Sequence, residues 1–175
     1  MRKYWIMAIV AIGIFAFGIA GYHFTATSPS AAKEKKQEIG ASIGDIIPEF
    51  TLTGIDGKKV NVGKDKKIAV LNFWATWCPP CRAEFPELVR FSQKNSGSVN
   101  FYSINLQEDK SKISAFFNKG GYFLPVLLDQ DGQIAKMFRV TAIPTTIIVD
   151  AKGVIRYRKS GAVTADELEN SIKGL

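Results

Sequence analysis

The stretch NFWATWCPPCRAEFPEL, Asn72 to Leu88, holds both cysteines of the 175-residue chain, Cys78 and Cys81, with two prolines between them. The run KIAVLNFW (67–74) leads into it and is almost continuously apolar, as in a strand buried on both faces of a sheet. After Cys78 the period changes: Phe85, Leu88 and Val89 fall at i, i+3 and i+4, a helical stripe. The cysteines therefore sit at a strand-to-helix junction, and Pro79 and Pro80 occupy a first helical turn that tolerates them. Pro86 lies deeper in the helix, where it removes a backbone donor and predicts a kink.

The pair has three readings: a staple, part of a metal site, or a redox couple. A disulfide stabilises mainly by closing a long loop in the unfolded chain, and this one closes a tiny loop. Structural zinc takes four ligands. The single histidine, His23, lies near the N-terminus, so neither zinc nor copper delivery fits, and no cofactor is expected. The redox reading fits the placement. A thiolate at a helix N-terminus meets unsatisfied N–H groups and the positive end of the helix dipole, which lowers its pKa. Cys78 is then the nucleophile, and Cys81, one turn inside, resolves the mixed disulfide. Pro79 and Pro80 offer no N–H to the Cys78 sulfur, so its thiolate is less stabilised and the couple leans toward a reductant.

Outward from this centre the chain divides into three. Tyr4 to Phe24 carries no formal charge, and its 21 residues would span about 31 Å as a helix, enough to cross a hydrocarbon core. Arg2 and Lys3 precede it, and the run exceeds a signal-peptide h-region. Residues 1–24 are thus expected to be an uncleaved signal anchor, single-pass in the cell membrane, with the N-terminus cytoplasmic and the main domain outside. No cysteine lies near the end of the run, which excludes a lipid-modified N-terminus. Residues 25–40 are small, polar and charged and read as a flexible linker. Residues 41–175 suffice for one domain with one core. The net charge of +7 comes largely from lysine-rich stretches, KEKK and GKKVNVGKDKK, which read as solvated faces. They are not interleaved with exposed aromatics, so nucleic-acid binding is not expected.

PEFTLTGIDGKKVNV gives two short strands around Asp56-Gly57, a favoured hairpin dipeptide. VNFYSIN reads as a strand, SKISAFFNKGG as a helix ending at glycines, FLPVLLD as a strand and DGQIAKMF as a helix. TTIIVDAKGVIRYRKSG gives two strands about a turn. Thr164 and Glu167 form a capping box for a last helix, with Val163 and Leu168 as its hydrophobic staple. Alternating strands and helices followed by a hairpin and a helix indicate an α/β layer fold.

FWATWCPPC, with Pro86 five residues after the second cysteine and AIPTTIIVD later in the chain, resembles the active-site pattern of the thioredoxin superfamily. The resemblance covers roughly Pro48 to Leu175. It implies a thioredoxin-like fold, a central mixed sheet flanked by helices, with a cis-proline at Pro144. The anchor, the N-terminal β-hairpin, the strand–helix insertion QEDKSKISAFFNKGGYFLPVLL and the acidic residue of CRAEFPEL narrow the resemblance to membrane-anchored ResA/TlpA-like proteins, a group that includes cytochrome c maturation reductases. Cytosolic thioredoxin has a buried aspartate where this chain has Asn72. Asn cannot take a proton, which makes Glu84 the candidate proton carrier, against a plainer reading as a solvated first-turn carboxylate. Trp77 is expected as an exposed cleft wall, Trp74 as core, Asn72 as a satisfied buried amide, and Ile143 and Pro144 as the second wall, where substrate backbone docks.

The resemblance implies an extracytoplasmic protein disulfide reductase acting as a monomer. Its client would be a disulfide-bonded protein, with apocytochrome c as the favourite, and its electrons would come from a membrane thiol–disulfide carrier. Two alternatives stand beside it. One is a peroxiredoxin-like peroxidase, which would want a threonine where the chain has Ala75. The other is a peptide-binding module with an inert disulfide.

Overall fold

The computed structural model describes residues 38–63 and 65–175. The expected anchor and the linker up to residue 37 lie outside them. Among the described residues no helix is long and apolar enough to cross a membrane. Ile39, near the end of the expected linker, bridges to Ile46, and the Gly40 N–H donates to the Ile46 carbonyl at 3.0 Å.

One sheet organises the domain. Its strands are β1 (Phe50–Gly54), β2 (Lys59–Val62), β3 (Ile68–Trp74), β4 (Val99–Leu106), β5 (Val126–Asp129), β6 (Thr145–Val149) and β7 (Ile155–Ser160), in the order β2-β1-β5-β4-β3-β6-β7. β3, β4 and β5 run parallel; β1, β2, β6 and β7 join as antiparallel neighbours. The sheet is mixed, as expected, and the hairpin turns at Gly57, whose φ of 87° suits glycine.

β3 is central, and the period-2 rule sorts its side chains. Ala69, Leu71 and Phe73 enter a core with Phe138, Ile147 and Ile155. Val70, Asn72 and Trp74 face the other side. There α1 (Pro79–Lys94) and α4 (Ala165–Ile172) bury Leu88, Phe91 and Leu168 over Val70 and Ile148. The staple residues Val163 and Leu168 are both buried. α2 (Lys110–Gly120) and β5 form the insertion, and an aromatic cluster fastens it to α1. Phe85 lies 4.5 Å from Trp74 and 4.9 Å from Phe116 between ring centroids, and Phe116 lies 5.4 Å from Tyr122. Such pairs add about 0.5–1.5 kcal/mol each beyond the area they bury. α3 (Gln133–Met137) covers the opposite face through Ile134 and Ala135.

Three local expectations change. The strand over FLPVLLD begins only at Val126, after Pro125, which has no N–H for a ladder. The helix in DGQIAKMF shortens to five residues. Half of the capping box forms: Thr164 Oγ1 accepts from the Glu167 N–H at 3.2 Å. The Glu167 carboxylate turns instead to Lys159 and Tyr157 on β7, which offer a cation and a hydroxyl.

Candidate active site

β3 ends at Trp74, and the chain turns through Ala75, Thr76 and Trp77 into α1. Cys78 is the N-cap of that helix. Cys78 and Cys81 are joined by a disulfide, with Cα atoms 5.3 Å apart. The Cys81 N–H points at Cys78 Sγ at 3.3 Å. Pro79 and Pro80 have no N–H to add, so the first turn presents this sulfur with one close backbone donor, as their placement implied. Cys78 Sγ also lies 3.7 Å from the carbonyl oxygen of Ile143, an acceptor for the thiol proton once the disulfide opens. The Ile143–Pro144 bond is cis.

The accessibility contrast between the cysteines is smaller than expected. Cys78 is 2% exposed and Cys81 is fully buried. The surroundings of Cys78 are open, however: Trp77 is exposed, as are Pro79 and Pro80, and the backbone beside Ile143 reaches the surface. Trp77 is 68% exposed and Trp74 is fully buried, an exposure contrast the sequence implies.

Glu84 departs from its plainer reading. It lies in the second turn of α1 and is only 3% exposed, so it is not a solvated carboxylate. Three positions after Cys81, it shares that cysteine's helix face. Glu84 Oε1 accepts from Asn72 Nδ2 at 2.9 Å, and Oε2 accepts from the Val163 N–H at 2.9 Å. Burial pushes its pKa up to about 7, against the downward pull of the Asn72 and Val163 hydrogen bonds and the Lys159 charge. A group poised near neutrality can both take and give a proton.

Asn72 is only half satisfied. Its Nδ2 donates to Glu84 and to Thr146 Oγ1, at 2.9 and 3.0 Å, while its Oδ1 has no partner among the described residues. An amide offers a donor to the ionised acid and an acceptor to the protonated one. An aspartate in its place would set two carboxylates against each other.

Two groups of supporting residues escaped the sequence reading. Glu108, just past β4, is buried and clamps the approach to the redox pair. Its carboxylate accepts from the Thr76 N–H at 2.6 Å, from Thr76 Oγ1 at 2.5 Å and from Asn105 Nδ2 at 2.8 Å. Behind Glu84, Lys159 Nζ holds Glu167 at 2.8 and 2.9 Å, and Tyr157 Oη donates to Glu167 at 2.7 Å. These bonds hold the Glu167 carboxyl below its usual range, while burial and the acceptor beside it push the Tyr157 phenol up. The sequence carried only one trace of either group, the capping motif that contains Glu167.

A disulfide at the mouth of a helix, facing an X–Pro turn on a neighbouring strand of a thioredoxin-like sheet, defines a dithiol redox protein. Comparison with known proteins narrows the class. Residues 42–173 match the family model described as Redoxin. The chain is 31% identical to the thioredoxin-like protein YneN of Bacillus subtilis, over 98% of each chain. It is 30% identical to the thiol-disulfide oxidoreductase ResA of Bacillus cereus, over 99% of this chain and 98% of that one. The crystal structure of StoA from Bacillus subtilis superposes with a TM-score of 0.66 at 28% identity, covering 72% of this chain and 97% of that one. The chain belongs to the Redoxin family. It is a thiol–disulfide oxidoreductase.

Proposed function

We propose that the protein is an extracytoplasmic reductant of protein disulfides, tethered by residues 4–24, with Cys78 as nucleophile, Cys81 as resolving thiol and Glu84 as proton carrier. The single close N–H donor on Cys78 Sγ supports the reducing direction, because it leaves the thiolate, and hence the dithiol form, without the stabilisation of a full helix mouth. The uncharged run behind Arg2 and Lys3 supports the tether.

Cys78 thiolate attacks one sulfur of a client disulfide, and the other client sulfur leaves as a thiolate. Cys81 loses its proton to Glu84 and attacks Cys78 Sγ, which releases the second client thiolate and closes Cys78–Cys81. Two electrons pass to the client, and Glu84 returns its proton to a departing thiolate. A membrane dithiol carrier would re-reduce the pair. Trp77 and the Ile143–Pro144 turn form the walls between which client backbone docks. Among the described residues the Ile143 N–H has no hydrogen-bond partner, which leaves it open to an extended segment in the manner of strand addition. Disulfide-bonded apocytochrome c fits this client class, and a monomer suffices for the cycle.

The observation that carries the reading is the buried, near-neutral carboxylate on the same helix face as Cys81. The peroxidase alternative has less to work with: Ala75 supplies no hydroxyl, and the Thr76 hydroxyl is committed to Glu108. The test is turnover of a protein disulfide under a dithiol supply, with peroxide consumption measured in parallel. Disulfide reduction that disappears in Cys78→Ser supports the reading. Peroxide consumption without disulfide reduction contradicts it.

A further inference from the structure

We infer that a trough leading away from Ile143 seats the part of the client chain that flanks its disulfide, and that Lys136 and Arg139 at its far end select for a carboxylate on that segment. This rests on the reductase reading and adds the class of substrate sequence.

Two concavities make the trough. One, of about 580 Å³, opens between Trp77 and the Ala142–Ile143 backbone. The other, of about 400 Å³, ends at Asp131, Lys136 and Arg139. Both are lined by Leu106, Gln107, Val140 and Thr141, so the second continues the first. The near end is largely apolar, and the far end is charged.

The charge at the far end is unbalanced. Asp129 is buried, and its two oxygens accept the Ile134 and Ala135 N–H groups at 3.1 and 2.8 Å. Asp131 Oδ1 accepts the Gln133 N–H at 3.1 Å. Both carboxylates hydrogen-bond the start of α3 but keep their charge, and Asp131 lines the same concavity, so the cations Lys136, Arg139 and Arg158 outnumber them by one. Lys136 and Arg139 are exposed and form no ion pair among the described residues. Arg158 packs beneath: its guanidinium donates to the Arg139 carbonyl at 3.0 Å and to the Ala41 carbonyl at 3.3 Å, and burial together with the Arg139 charge holds it below its usual pKa. A client carboxylate would relieve this crowding of cations.

The backbone marks the same place. Gln107 and Arg139 are the non-glycine residues with positive φ among those described, at 55° and 49°. Each conformation costs about 1–3 kcal/mol, and such strain collects where a site is held in shape. Both line the charged concavity. The Gln107 N–H is pinned to the Asp129 carbonyl at 3.1 Å, and the Arg139 N–H to the Lys136 carbonyl at 3.0 Å. The trough is therefore fixed before a client arrives.

The test uses the reduced full-length chain in neutral detergent and a set of disulfide-bearing peptides. A single glutamate is walked outward from the reactive cysteine on each side, with glutamine at the same position as the control. One register should react about fivefold faster with glutamate than with glutamine, the size expected of two exposed ion pairs, and 1 M salt should abolish the difference. Lys136→Gln with Arg139→Asn should remove the preference, so that the glutamate and glutamine peptides react at equal rates; asparagine tolerates the left-handed backbone at 139. Lys136→Gln alone, at an exposed helical position, should remove about half of it. Lys119→Gln on α2 is the control and should keep the preference. Equal rates for every glutamate–glutamine pair would overturn the trough and leave the reductase intact. Failure to reduce any peptide would overturn both.

Discussion

Asn72 on β3 donates to the buried carboxylate of Glu84 on α1 at 2.9 Å, joining the strand that leads to the redox pair with the helix that carries it. Burial raises the Glu84 pKa, and this hydrogen bond is the largest of the effects that lower it. Asn72→Ala should therefore move the Glu84 pKa above about 7 and shift the acid limb of client reduction to higher pH. The measurement is the pH profile of single-turnover reduction. A profile that stays in place would remove Asn72 from the proton-carrying unit.

Glu84 also links stability to pH. Its folded value of about 7 lies above the ordinary 4.5. The folded state therefore binds more protons than the unfolded chain between these values, and stability falls as pH rises through the window. Below about pH 4.5 the group is protonated in both states and the penalty is absent; above about 7 it reaches its full size of roughly 3 kcal/mol. Relative to Glu84→Gln, the parent protein should lose about that much between pH 4.5 and 8 in denaturant titrations. Parallel curves for the two proteins would contradict a buried, neutral Glu84.

Lys159 acts on the same carboxylate through its charge. Lys159→Gln removes that charge, so the Glu84 pKa should rise and the kinetic profile should shift in the same direction as for Asn72→Ala. Carboxyl chemical shifts followed by NMR titration check it directly. An unchanged or lower value would assign Lys159 to Glu167 alone.

Glu108 holds the loop before Cys78 by two hydrogen bonds from Thr76 and is itself held by one from Asn105 on β4. Glu108→Ala leaves the Thr76 N–H and Asn105 Nδ2 without their acceptor and should cost about 2–3 kcal/mol of stability. Glu108→Gln keeps one acceptor oxygen and should cost less. Chemical denaturation of both variants measures the difference, and equal small losses would show that the clamp is replaceable by water.

The redox junction was legible because it is local. The change from an apolar run to a helical stripe located β3 and α1, and the two cysteines lay at that boundary. Trp74 and Trp77 followed from their places on either side of it. Glu84 was legible as a neighbour of Cys81 by its spacing, but its burial was not. That burial depends on Val163, 79 residues away in sequence, whose N–H meets Oε2 when α4 docks on α1. The Thr76–Glu108 clamp spans 32 residues and forms only because β3 and β4 lie parallel and end together. Such contacts carry no local periodicity. The short α3 misled for a related reason: its apolar pattern serves the sheet face at Phe138, while only five residues hold helical geometry.

In the proposed cycle Cys78 attacks and Cys81 resolves. The most direct measurement is trapping with the Cys81→Ser protein. Mixed with a disulfide-bonded client protein, it should accumulate a covalent adduct, and mass spectrometry should place the linkage at Cys78. Cys78→Ser should accumulate little or none. An adduct carried by Cys81 in the Cys78→Ser protein, with none at Cys78 in the Cys81→Ser protein, would contradict the account.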